Sequence, residues 1–123
     1  MVNDKSLPDL KHRTKDFALR VIKLFSSLPK TAEAQVIGKQ ILRSGTSVGA
    51  QYREACRARS IAEFVSKMQS GLQELDETGY WLELLVDGKL VKPARLSNLQ
   101  DEANQLTAIF VASVKTAKSR NRR

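Results

Sequence analysis

The chain of 123 residues contains little cysteine and proline and few aromatic residues. Its one cysteine, Cys56, cannot form an internal disulfide and is typical of a protein in a reducing compartment. Only three prolines and six glycines interrupt a composition rich in Leu, Ala, Lys, Glu and Gln, and such a composition favours helices. We therefore expect an all-α protein of the cytoplasm.

Long apolar runs and common catalytic motifs are also missing. No run approaches the roughly 18 apolar residues that indicate a membrane-spanning helix, and the N-terminal MVNDKSLPDL lacks the apolar core of a secretory signal. The sequence has no glycine-rich phosphate loop, no H-E-x-x-H and no nucleophile elbow. We expect a protein without membrane contact that is not an enzyme and needs no cofactor or metal ion.

Acidic residues are outnumbered and unevenly placed. The chain has 21 Lys and Arg against 13 Asp and Glu, so its formal net charge is +8. Between Ile61 and Asp87 there are one base and six acids, which give −5 for that segment and +13 for the rest. Such segregation can attract a polyanion or can fasten basic faces to acidic ones between subunits.

The stretch from Ser60 to Leu90 predicts one long helix. Its small and apolar residues recur at alternating steps of four and three, as in a helix whose narrow stripe faces other helices. The stripe consists of Ile61, Val65, Met68, Leu72, Leu75, Gly79, Leu82 and Val86. Ser60 and Glu63 form a capping-box pattern at its start. Gly88 predicts its end, because glycine tolerates the left-handed conformation that closes many helices.

Three further helices complete the predicted fold. The first runs from Asp9, a plausible N-cap, to Leu28, the second from Thr31 to about Arg57, and the fourth begins near Pro93. Whether the second helix bends or a short turn follows it within 53–60 stays open. Short connections predict an antiparallel up-down-up-down bundle over 9–118. Residues 1–8 are expected to form a flexible N-terminus and 119–123 a basic disordered tail.

The second helix carries a small stripe and a polar stripe. Ala34, Gly38, Gly45 and Gly49 indicate close approach of another backbone, although a kink or break between Gly45 and Gly49 is the alternative. The polar residues are interpreted as a structural network that sets helix register or a subunit interface. Its members are Gln40, Arg43, Ser47, Gln51, Glu54 and Glu74. A catalytic interpretation would need Glu54 and Glu74 in one pocket.

Basic side chains outside the acidic helix are the candidate nucleic-acid-binding residues. They would contact phosphates without base specificity, with an affinity that falls steeply with salt. The candidates are Lys11, Arg13, Lys15, Arg20, Lys23, Arg53, Arg57, Arg59, Lys115, Lys118, Arg120, Arg122 and Arg123. Tyr52 could stack on a base. The alternative is a solvated surface that keeps the protein soluble. His12 is interpreted as a surface residue and Cys56 as a small buried one.

Many modest matches between Phe17 and Phe110 resemble a known family. They are Leu28-Pro29, Glu33, Gln40 with Arg43, Ser47-Val48, Glu54, Arg59-Ser60 with Glu63-Phe64, and Gly71-Leu72 with Glu74-Leu75. The pattern resembles the four-helix-bundle proteins encoded within intervening sequences of bacterial 23S ribosomal RNA genes. That group is similar to the accessory variability determinants of diversity-generating retroelements.

The resemblance implies a ring-shaped homopentamer of four-helix protomers without a catalytic site. In the retroelement branch it also implies a basic surface that binds nucleic acid and docking onto a reverse transcriptase. We therefore expect an oligomeric scaffold that binds RNA or DNA through phosphate contacts. The alternative is a protein-interaction oligomer from a ribosomal RNA intervening sequence that does not bind nucleic acid.

Overall fold

The computed structural model describes residues 9–121, which form four α-helices. These are α1 (Leu10–Ser27), α2 (Ala32–Cys56), α3 (Ile61–Asp87) and α4 (Pro93–Asn121). No strand occurs between residues 9 and 121, and the all-α prediction is confirmed. The predictions for residues 1–8, Arg122 and Arg123 lie outside the described residues.

Side-chain caps define where the first three helices begin. Asp9 accepts from the backbone N–H of His12 at 3.0 Å. The Thr31 hydroxyl accepts from the backbone N–H of Ala34 at the start of α2. Ser60 accepts from the N–H of Glu63 at 3.0 Å. Glu63 reaches back to the N–H of Arg59 at 2.7 Å. These bonds satisfy N–H groups that have no partner inside the helix. The predicted caps Asp9 and Ser60 therefore mark real boundaries, and Thr31 caps α2 where that helix was predicted to begin.

The end of α3 differs from its prediction. Gly88 has a right-handed backbone with φ −77°, and Lys89 takes the left-handed conformation with φ 60°. The N–H of Lys89 donates to the carbonyl of Val86, and that of Leu90 donates to the carbonyl of Leu85. These two bonds form the Schellman pattern, in which Lys89 is the left-handed residue and Leu90, directly after it, donates the second bond. The prediction that Gly88 supplies that conformation was wrong.

The C-terminal helix is longer than expected. α4 continues to Asn121, so residues 119–121, which were assigned to the tail, are helical. Lys118 and Arg120 lie in its last turn, where cations interact favourably with the helix dipole.

Neighbouring helices run in opposite directions. Gly49 near the end of α2 faces Thr14 near the start of α1, while Gly38 faces Leu28 at the other end of α1. Consecutive helices pack against each other, and α1 touches α4 over the smallest of the four interfaces. The result is a four-helix bundle with the expected up-down-up-down order.

The small stripe of α2 allows α1 to approach closely. A Cβ placed on Gly45 would lie 2.7 Å from Cγ2 of Val21, which is closer than real Cβ contacts. α2 is a continuous helix through Gly45 and Gly49, so the alternative of a break at these glycines was wrong.

The buried stripe of α3 is rotated relative to the predicted one. Its buried members are Met68, Gly71, Leu75, Thr78, Leu82 and Leu85. Of the predicted members, Met68, Leu75 and Leu82 are buried, Val65, Leu72, Gly79 and Val86 are half-buried, and Ile61 is 37% exposed. Because α3 packs between α2 and α4, the contacts of both neighbours decide which side is buried, and Gly71 lies where the two meet.

Candidate nucleic-acid interface

Most predicted phosphate-binding residues lie at one end of the bundle. α1 and α3 begin there, and α2 and α4 end there, because neighbouring helices are antiparallel. We call this set the basic end: Lys11, Arg53, Arg57, Arg59, Lys115, Lys118 and Arg120. Arg59 and Arg120 line the same surface groove of about 480 Å³. Tertiary structure thus joins cations that are far apart in the sequence.

The cationic side chains of the basic end are mostly exposed and are not neutralised by ion pairs. Arg53 is half-buried and the other six are exposed. None of the seven forms an ion pair among residues 9–121. The nearby Glu54 pairs with Lys67 at 2.8 Å, and this pairing raises the pKa of Lys67. Unpaired guanidinium groups keep all their donors available for phosphate oxygens.

Tyr52 does not offer the stacking surface that was expected. Its ring is half-buried and packs against Phe110 with 6.0 Å between the ring centroids. Burial, followed by a hydrogen bond with the thiol of Cys56, raises the pKa of Tyr52 to about 12. Cys56 itself is exposed, so the prediction of a buried cysteine was wrong. His12 is exposed, as expected.

Arg13 is held within the bundle. Its Nε donates to Oε2 of Glu102 at 3.0 Å and its Nη2 donates to Oε1 at 2.6 Å. A further bond joins Nη2 to the amide oxygen of Gln105 at 3.1 Å. The hydrogen bond with Glu102 raises the pKa of Arg13 above its ordinary value. Since this bidentate pair links α1 to α4, we leave Arg13 out of the interface.

Arg20 and Lys23 lie apart from the basic end. Together with Arg95 they line a depression of about 350 Å³ between α1 and α4, which we call the α1/α4 notch. Sequence analysis missed Arg95, because a single arginine in the first turn of a helix carries no pattern. Lys15 is exposed on α1 and lines neither place.

The polar stripe of α2 divides into separate pairs. Arg43 contacts Glu77 at 2.8 Å and Glu74 at 3.7 Å. Glu54 instead contacts Lys67, more than two turns further along α2. The two carboxylates of the enzyme hypothesis therefore hold different cations. The other three members are half-buried. Ser47 bonds to the Arg43 carbonyl, Gln51 has a buried oxygen without a partner among the described residues, and no side-chain bond of Gln40 is found there.

A buried hydroxyl pair on α2 and α3 escaped the sequence analysis. The side-chain oxygens of Ser44 and Thr78 lie 2.7 Å apart, and both residues are fully buried. Ser44 and Thr78 each lie beside a glycine. The stripes predicted from those glycines give no sign of a hydrogen bond between the two hydroxyls.

Acidic side chains collect in a different groove. Asp76 and Glu83 of α3 and Asp101 of α4 line a depression of about 600 Å³, and Gly79 also contributes to its lining. The charge segregation seen in the sequence is thus also a spatial one. Within residues 9–121, no cluster of three or more His, Cys, Asp or Glu could hold a metal ion. No helix in that range is long and apolar enough to cross a membrane.

Comparison with known proteins identifies the family. The family model described as 23S rRNA-intervening sequence protein matches residues 9–112. No curated protein matches the chain. A crystal structure from Bacteroides thetaiotaomicron, described as a protein with unknown function from the S23 ribosomal protein family, is 35% identical with a TM-score of 0.81. The match covers 86% of this chain and 98% of that one. The chain belongs to the 23S rRNA-intervening sequence protein family.

Proposed function

We propose that this protein is a non-enzymatic scaffold that binds the backbone of structured RNA or duplex DNA through its basic end. One observation carries the proposal: cations of α1, α2, α4 and the connection between α2 and α3 lie at one end of the bundle and form no ion pairs among the described residues. The acidic side chains of α3 and α4 line a separate groove. A polyanion would therefore approach one end of the molecule.

The expected binding mode is contact with phosphates. Arginine and lysine side chains bind phosphate oxygens without reading the bases, and each contact releases condensed counterions. Tyr52, near the basic end, packs against Phe110, and Phe64 in the groove of Arg59 and Arg120 is half-buried. Recognition of a folded backbone therefore suits this surface better than stacking on single strands.

The finer part of the proposal concerns assembly. We propose a homopentameric ring, on the grounds of the family resemblance, and a role as accessory to a reverse transcriptase of a diversity-generating retroelement. In a ring, identical basic ends act on one polyanion at the same time. Linked contacts of this kind raise the apparent affinity without any new interaction.

The test is a titration with structured RNA and duplex DNA across a salt series, with the assembly mass measured by light scattering. Arg57→Gln with Arg59→Gln removes two exposed cations of the basic end. We expect weaker binding for every sequence and a logarithmic salt slope that falls by about 0.9 for each lost contact to B-DNA. Lys30→Gln with Lys39→Gln removes the same charge elsewhere and serves as the matched control. An equal loss in both variants, or no loss in either, would overturn the proposal.

The second candidate is an interaction module without nucleic-acid binding. The groove formed by Asp76, Glu83 and Asp101 favours it, because that groove suits a basic surface on a neighbouring subunit or another protein. A large assembly that ignores both polyanions at physiological salt would support this alternative. Asp76→Asn with Asp101→Asn would then be expected to reduce the assembly mass.

A further inference from the structure

The geometry points to the α1/α4 notch as a second phosphate-binding site, separate from the basic end. Three cations line it, namely Arg20 and Lys23 of α1 and Arg95 of α4. Its lining contains no carboxylate. Two guanidinium groups and an ammonium group around one depression match the charge and the acceptor oxygens of a phosphate.

Arg95 is already held in place. Its Nη2 donates to Oγ of Ser27 at 3.0 Å, and Ser27 in turn donates to the carbonyl of Leu24 at 2.8 Å. The single hydrogen of Ser27 is therefore used inside α1, and its oxygen orients Arg95 across the helix interface. A guanidinium has five N–H donors, so most donors of Arg95 remain free to meet a ligand.

Arg20 and Lys23 are not neutralised by neighbours. Neither forms an ion pair within residues 9–121. The nearest carboxylate along α1 is that of Asp16, one turn before Arg20, and the two do not come within ion-pair distance. Arg20 is half-buried, so its charge is screened less by salt than that of a fully exposed lysine.

The rest of the lining completes a pocket with a polar rim. Leu24, Leu96 and Leu99 are buried at its base, and Asn98 adds an exposed amide. Its volume of about 350 Å³ is near the lower end of small-ligand pockets. The ligand class is therefore a phosphate group, either an internal phosphodiester of a nucleic acid or a terminal or free phosphate.

The notch and the basic end cannot hold the same phosphate. Arg95 and Lys118 are 23 positions apart on α4, which corresponds to about 35 Å at roughly 1.5 Å per residue. One turn of B-DNA spans a similar distance of about 34 Å. A duplex that lay along the bundle would therefore be long enough to reach both places. Phosphate binding by the notch does not depend on the proposed nucleic-acid binding.

The experiment is an NMR titration of the full chain with inorganic phosphate at constant ionic strength. We expect saturable shifts of the Arg95 side chain and of the amides of Ser27 and Asn98. Arg20→Gln with Arg95→Gln should abolish the shifts of the Ser27 and Asn98 amides. Lys23→Glu, at an exposed position, should abolish all the shifts without altering the bond between Arg95 and Ser27. Shifts spread over all surface cations, or shifts that persist in both variants, would overturn the inference.

A second experiment distinguishes internal from terminal phosphates as the ligand. It also distinguishes phosphate binding by the notch from nucleic-acid binding by the basic end. Duplex DNA with and without 5′-terminal phosphates is titrated against the phosphate-loaded protein. Displacement by both duplexes assigns internal phosphodiesters, and displacement by the phosphorylated duplex alone assigns terminal ones. Arg57→Gln with Arg59→Gln should leave the response to inorganic phosphate unchanged. If the proposed function fails while the notch still binds phosphate, the ligand is a small phosphate compound.

Discussion

Ser44 of α2 donates a hydrogen bond to Thr78 of α3 inside the bundle, with 2.7 Å between the two hydroxyl oxygens. The direction follows from the next bond, since Thr78 uses its own hydrogen to donate to the carbonyl of Glu74 at 2.7 Å. Both side chains are fully buried. A slide of one helix past the other would leave buried polar groups unpaired, so this bond helps to set the register of α2 and α3.

Thr78→Val tests this bond. Valine has nearly the shape of threonine but accepts no hydrogen bond, so the hydroxyl of Ser44 loses its partner. We expect the free energy of unfolding to fall by about 1–3 kcal/mol, measured by urea denaturation. Thr107→Val is the control, because that hydroxyl bonds only to Ala103 of its own helix. The coupling is confirmed if the double variant Ser44→Ala with Thr78→Val loses less free energy of unfolding than the sum of the two single losses. Strictly additive losses would contradict it.

Gly71→Ala and Gly79→Ala are a matched pair of substitutions within α3. A Cβ on Gly71 would lie 2.6 Å from Cε2 of Phe110, whose ring is fully buried, whereas a Cβ on Gly79 meets nothing within 4 Å. We expect Gly71→Ala to destabilise the protein by about 1–3 kcal/mol through overpacking. Gly79→Ala should stabilise it by up to about 1 kcal/mol through helix propensity. Denaturation curves check both signs, and equal signs would refute this packing.

Lys89→Gly tests the left-handed turn after α3. Lys89 has φ 60°, a conformation that glycine adopts without the steric cost of a Cβ. We expect a gain of roughly 0.5–1 kcal/mol in thermal or urea unfolding. Lys92→Gly removes the same charge where φ is negative and should give no gain. A loss of stability with Lys89→Gly would mean that α3 ends differently.

Alkaline pH should reveal the environment of Tyr52. Burial raises its pKa to about 12 from the ordinary value of 10.0. A raised folded-state pKa contributes stability below the unfolded-state pKa, and that contribution is lost as the pH rises from about 10 towards 12. We expect a late step in the tyrosinate absorbance titration that Tyr52→Phe removes. The same variant should lose less stability over this pH range, and an unchanged titration would contradict the assignment.

Several features of the fold could be predicted from the sequence because they depend on local physics. Asp9, Thr31 and Ser60 cap their helices through bonds that span only three residues. Apolar spacing identified four helices, and short connections left few ways to arrange them. The end of α3 was placed correctly, yet the left-handed residue was not, because the Schellman bonds depend on how Leu90 returns towards Leu85.

The candidate site depended on tertiary structure. Charge composition selected Arg13 and Arg59 equally, although α4 brings Glu102 to Arg13 and leaves Arg59 unpaired among the described residues. Arg95 gained meaning only when the packing of α4 placed it beside Arg20. The sequence by itself therefore determined the helices, their caps and the charge imbalance, which arise from contacts a few residues apart. Folding decided which charges pair and which remain free, because residues some 90 positions apart meet only across helix interfaces.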